Sequence, residues 1–235
     1  MMFDHLILST TGLFNNFDLT GITGSNENAA TTIQLFLLLT VLTLAPSILI
    51  MMTCFTRIII VLSFVRQGLA TQSMPPNQVL IGIALFITFF IMAPVMAEIN
   101  NEALQPFANA EISQEEAFER ATVPIKEFMS NHTREKDLAL FMGYAGLERP
   151  ETLEDIPLTA LVPAFAISEL KTAFQIGFLI FVPFLVIDMI VASVLMSMGM
   201  MMLPPVMIAL PFKILLFVLV DGWYLIVQSL LLSFQ

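Results

Sequence analysis

Four stretches of this chain are too apolar for an aqueous loop and long for ordinary core helices. They are residues 33–52, 79–97, 173–198 and 206–234, the last two interrupted only by scattered Pro, Asp and Lys. A helix of about 20 apolar residues crosses a hydrocarbon core of about 30 Å. Lipid offers no water to the backbone, so a spanning segment is a helix or part of a closed barrel. Barrel strands need only about 10 residues and alternate in polarity. The pattern therefore predicts an all-α chain of membrane type. Hydrophobic residues make up 57% of the 235 and charged ones only 12%, which fits.

The four runs pair into two hairpins, residues 31–97 and 161–235, each turning at a Pro-Pro pair: MPPNQV in the first and LPPVMI in the second. Pro46 and Pro94 lie inside the first hairpin, and Pro46 predicts a kink. Residues 31–65 are long for one span, so a broken or strongly tilted helix is expected. A polar segment, residues 1–30, precedes them; its start lacks the basic region and apolar length of a signal peptide. Between the hairpins lies an acidic insert, residues 98–160. It holds 13 of the 19 acidic and 5 of the 9 basic residues, a net −8. No basic patch exists to neutralise phosphates, which argues against nucleic acid. Ser113 and Glu116 have the spacing of a capping box, and a second short helix is expected over 133–142, ended by Gly143 and Gly146. Arg57 and Arg66 near the first turn favour the cytoplasmic side for both Pro-Pro turns. The insert and both termini are then extracytoplasmic.

Ionisable residues within apolar runs are costly and usually paired. Asp188 lies 13 residues before the second turn and Lys213 lies 12 after it, or about 20 and 18 Å along ideal helices. They are expected to form an ion pair, within one chain or between neighbours, that serves assembly. Arg57 either snorkels or faces protein; Arg66 lies beside the first turn. Glu169 and Lys171 point to different sides of a helix and are expected to meet other elements. Asp221 and Trp223 suggest a partner contact or an interfacial belt. The chain carries no HExxH, GxSxG, P-loop or CxxC, Cys54 reads as a buried hydrophobe, and His132 has no second histidine near it. No enzyme, metal site or cofactor is expected.

The second turn holds five methionines in seven positions: Met196, Met198, Met200, Met201 and Met202. Methionine is soft and unbranched, so such a cluster serves as a core turn or as a deformable surface around varied partners. Composition leaves both open.

Two segments carry a resemblance to a known family. MMTCFTRIIIVLSFVRQGLATQSMPPNQVLIGIALFITFFIMAPV, residues 51–95, and PAFAISELKTAFQIGFLIFVPFLVIDMIVASVLMSMGMMMLPPVMIALPFKILLFVLVDGW, residues 163–223, resemble the FliP family in order and spacing. These are export-gate proteins of flagellar type III secretion, whose counterparts in injectisomes are the R-type core components. PFKILLFVLVDGW is closer to the flagellar branch. The resemblance implies a homo-oligomer, usually of five copies, joined to the Q and R components in a ring-like or helical channel. Other export-apparatus proteins are its neighbours, unfolded flagellar subunits its cargo and membrane lipid its surroundings. It implies a place in the bacterial inner membrane at the flagellar basal body, largely displaced to the periplasmic side, with some apolar helices packed on one another. It also implies that the loop 196–203 is a pore gasket formed by Met200, Met201 and Met202, with Met198 and Met196 beside them. The residues alone leave two other classes open. One is a secondary transporter using Asp188, Lys213 and Glu169 as a substrate or proton site. The other is a membrane scaffold without a pore.

Overall fold

The computed structural model describes residues 27–71, 73–147, 150, 152–153, 155–200 and 203–234. Most of the polar start and two of the expected gasket residues, Met201 and Met202, lie outside them. No strand occurs among the described residues, so the protein is all-α. It divides into two compact units, Met1–Ile48 and Leu49–Gln235. Helix α1, Glu27–Met52, carries Pro46 and exposes Phe36, Leu39 and Leu42.

The first run does break, at Thr53 and Cys54, and helix α2 follows, Phe55–Gly68. Ile58, Val61, Leu62 and Val65 recur at helical spacing and are fully buried, making α2 the core helix of the second unit. The next helix, α3, spans Asn77–Ile99. Pro76 is its N-cap, extended at ψ 151°, which suits a residue that has no N–H to leave unpaired at a helix start. Arg66 bonds to Asn77, and Cys54 meets Thr88, so α3 runs antiparallel to α2.

The expected end of this span near Ala97 is not where the helix stops. It continues through a π-helical turn, Asn100–Leu104, into a short α4, Gln105–Ala108. Helix α5, Gln114–Asn131, begins as its sequence asks: the Glu116 amide donates to Ser113 Oγ at 3.2 Å. The Glu116 carboxylate, however, takes Arg120 at 2.6 Å rather than closing the box. Helix α6, Glu135–Tyr144, passes through Gly143 and closes at Gly146, whose φ of +68° lets Leu147 N–H reach the Met142 carbonyl.

Helix α7 runs unbroken over Leu158–Ser197, 40 residues. Pro163 and Pro183 lie inside it without ending it. At this length it is about 60 Å long, twice a hydrocarbon core. Its first part is therefore clothed by the insert: Phe128 of α5 packs on Phe165 at 6.1 Å, and Asp137 of α6 bonds Ser168 at 2.7 Å. Lower down, Arg57 meets Glu169, Phe64 meets Phe174 and Gly177, and Gly68 meets Phe184. These contacts advance together, so α2 and α7 run parallel. The approach is close; a Cβ on Gly68 would lie 2.6 Å from the Phe184 ring, and one on Gly177 would enter the Phe64 ring.

The last apolar run is two helices rather than one. Helix α8, Pro205–Leu219, and helix α9, Gly222–Leu232, meet at a 62° bend. The cause is Asp221, held at φ +51° in the left-handed region, where a helix cannot continue. Lys213 meets Asp188, Phe217 meets Phe184, and Phe234 meets Arg57. The pair therefore descends the length of α7 in the opposite sense: it is one bent return, not a loop that doubles back. Among the described residues two helices are long and apolar enough to cross a membrane, the α3–α4 stretch and α7, and the bent pair makes a third if it is one span.

Candidate functional site

The tip of the α7–α8 hairpin and the charges buried along its stem are the chemically distinctive parts. At the tip, α7 ends at Ser197. Gly199 takes φ +73°, and Met200 N–H bonds the Leu195 carbonyl at 3.0 Å, which closes the helix end. Pro204 is extended and caps α8. The described methionines face outward: Met196 and Met198 are 63% exposed and Met200 41%. Met201 and Met202 are outside the described residues.

Below the tip, Lys213 Nζ donates to Asp188 Oδ2 at 2.7 Å within one chain. The pair is lopsided. The lysine side chain is 2% exposed and the carboxylate 31%, yet Asp188 Oδ1 is buried without a partner in the chain. Desolvating two charges is repaid only when their lone pairs and protons are satisfied, and here one carboxylate oxygen has no donor among the described residues.

A second pair lies deeper. Arg57 Nε donates to Glu169 Oε2 at 2.9 Å and its Nη2 to Oε1. Its Nη1 donates to the carbonyl and hydroxyl of Ser233, at 2.8 and 3.0 Å. The Phe234 ring covers the guanidinium at 3.8 Å, a cation–π contact. The fork thus ties α2, α7 and the end of α9 together. His132 closes the cluster, its Nδ1 2.7 Å from the Phe128 carbonyl and its ring 5.2 Å from Phe234. Burial keeps its pKa below the ordinary histidine value, and Arg57 adds to this.

A third set joins the insert to α7. Ser168 Oγ donates to Asp137 and accepts from the Arg134 amide, while the Arg134 guanidinium pairs with Asp137. Desolvation works against the Asp137 charge, but the Ser168 hydroxyl and Arg134 outweigh it and hold the carboxyl below its usual range. Sequence reasoning missed this set and the Arg57–Glu169 pairing, because the partners are 31 and 112 residues apart.

The other expected contact residues are placed as follows. Arg66 stays local, bonding Asn77 and the Pro75 carbonyl at the first turn. Lys171 is exposed beside the insert, and Asp221 is exposed at the bend. Trp223 packs edge-on to Phe217 at 5.3 Å. Cys54 is fully buried, as expected of a small core hydrophobe. Among the described residues no three His, Cys, Asp or Glu side chains gather to hold a metal.

Comparison with known proteins gives the biological setting. The profile of the FliP family matches residues 38–230. The flagellar biosynthetic protein FliP of Bacillus subtilis (strain 168) is 76% identical over 208 residues, 88% of this chain and 94% of its own. That of Pectobacterium carotovorum subsp. carotovorum is 56% identical over 203 residues, 86% of this chain and 79% of its own. That of Aquifex aeolicus (strain VF5) is 49% identical over 232 residues, 98% and 97% of the two chains. Profile and relatives cover both hairpins and the insert between them, so this chain belongs to the FliP family of flagellar biosynthetic proteins.

Proposed function

We propose that the chain is a channel-forming subunit of the flagellar export gate, whose Met-rich hairpin tip closes the pore through which unfolded flagellar proteins leave. The observation that carries this reading is the tip itself: a glycine-closed helix end that holds the exposed Met196, Met198 and Met200 clear of the core. A ring of such tips from several copies would close on itself or around a passing chain of any sequence. The incomplete Asp188 site supports assembly, since a neighbouring copy can supply the donor that Oδ1 lacks. So do the exposed Phe86 and Phe90, which need cover.

On this reading about five copies join the Q and R components in the inner membrane at the basal body, displaced toward the periplasm. The insert lies on the extracytoplasmic side, and the four-part division at residues 30, 97 and 160 marks segments with different surroundings. The transporter reading is weaker, because Glu169 is fully buried and has both oxygens engaged by Arg57. Deleting Met200–Met202 tests the gasket: small-ion leak through assembled gates should rise while export persists. Unchanged leak with unchanged export would end this reading.

A further inference from the structure

The insert is acidic, yet three cations gather where it meets α7. Lys171 of α7 is exposed and lies one turn beyond Ser168, which bonds the Arg134 amide and Asp137, so it stands beside Arg134 and Lys136. Two carboxylates share this turn, and both are engaged: Asp137 by Ser168 and Arg134, and Glu135 by a contact of its own. Arg134 Nε and Nη1 are buried and have no partner among the described residues. Three positive charges against two engaged negative ones leave a positive excess that an anion would complete, since like charges in contact repel and an unbonded buried N–H is costly.

What lies below the cluster indicates which anion. From Lys171 the same face of α7 continues through Phe174, Phe178, Val182, Leu185 and Met189, all exposed and apolar, at intervals of three or four residues. A cationic group at the head of a long exposed apolar stripe matches one amphiphile: a charged head on a hydrocarbon chain. We propose that Arg134, Lys136 and Lys171 bind the phosphate headgroup of an anionic phospholipid whose acyl chain lies along α7. The site is separate from the hairpin tip, and its failure would leave the channel reading untouched.

The test uses the full chain, purified in mild detergent and stripped of lipid. Retention of added phosphatidylglycerol is followed by native mass spectrometry, with phosphatidylcholine and inorganic phosphate as comparisons. Phosphatidylglycerol should be retained in preference to phosphatidylcholine. Each surface lysine near a membrane contributes on the order of fivefold in binding to an anionic lipid, so Lys136→Ala/Lys171→Ala should weaken retention about 25-fold. Both side chains are exposed, so the fold is kept; an unchanged circular dichroism melt checks this. Equal retention of the two lipids, or full retention by the double variant, would overturn the proposal. Displacement of the lipid by inorganic phosphate alone would make this a free-anion site and overturn it too. If the variant keeps the lipid but loses self-association, the cations serve carboxylates of a second copy, and the lipid assignment is wrong.

Discussion

Glu169→Ala removes the carboxylate from the Arg57 fork and leaves the guanidinium in the core. Arg57 is 3% exposed and Glu169 0%, so water cannot step in. At a charge separation of about 4 Å and an effective dielectric of about 20, the lost attraction is on the order of 4 kcal/mol. Arg57 keeps Ser233 and the Phe234 ring, which softens the loss without cancelling it. The expected cost is about 3–5 kcal/mol, and Arg57→Met should cost about as much by stranding the carboxylate. Arg57→Met/Glu169→Leu strands nothing and should lose less than either single change. The assay is unfolding in mixed micelles by increasing anionic detergent, followed by far-UV circular dichroism. Amide exchange separates the two single variants. It should rise at residues 229–234 in Arg57→Met, which frees Ser233, and stay low in Glu169→Ala. If the double variant loses the sum of the singles, the two side chains do not act as a pair and the reasoning fails.

The Lys213–Asp188 pair should respond asymmetrically: Asp188→Ala strands a buried ammonium and should cost about 3–5 kcal/mol, whereas Lys213→Ala leaves a part-exposed carboxylate and should cost less. Equal losses by the same unfolding assay would contradict the burial difference. Two glycines should move stability in opposite directions. Gly177→Ala drives a Cβ into the Phe64 ring and should destabilise by about 1–2 kcal/mol, while Gly82→Ala meets open space in a helix and should stabilise by about 0.5–1 kcal/mol. Both are read by thermal melts. Because burial holds the folded pKa of His132 below the ordinary histidine value of about 6.5, the unfolded chain takes up that proton first. The stability it contributes is full above that value and falls as pH drops through it, by at most about 1.4 kcal/mol per pH unit. Melting temperature between neutral pH and about pH 5 should therefore decline, and His132→Gln should flatten the decline.

The apolar runs were legible because length and composition alone decide whether a segment can be a spanning helix. Ser113 was legible because capping is local: its donor is three residues away. Three boundaries were not. Pro163 and Pro183 look like helix breakers, but α7 continues through both; neighbouring elements can hold such a helix together after a lost hydrogen bond. Asp221 gives no sign that it will take a left-handed conformation, which sequence readily predicts for glycine and less so for aspartate. The passage from α3 to α4 crosses Glu98 and Glu102 through a π turn, where charge suggests an end and the backbone continues. For the charges, Asp188 and Lys213 are equidistant from a turn, so depth can be counted. The partners of Arg57 depend on helices lying side by side, and no spacing in the chain encodes that.

The Arg57 fork also ties the order of synthesis to the completion of the core. Glu169 is made 112 residues after Arg57, and Ser233 is made 176 residues after it. Until then α2 presents a bare cation on its most apolar face. Contacts this distant in sequence form late and leave unfinished chains prone to misassembly. A nascent subunit, or one cut before Ser233, therefore carries an unsatisfied cation on its core helix. The same guanidinium that locks the finished core flags the unfinished one.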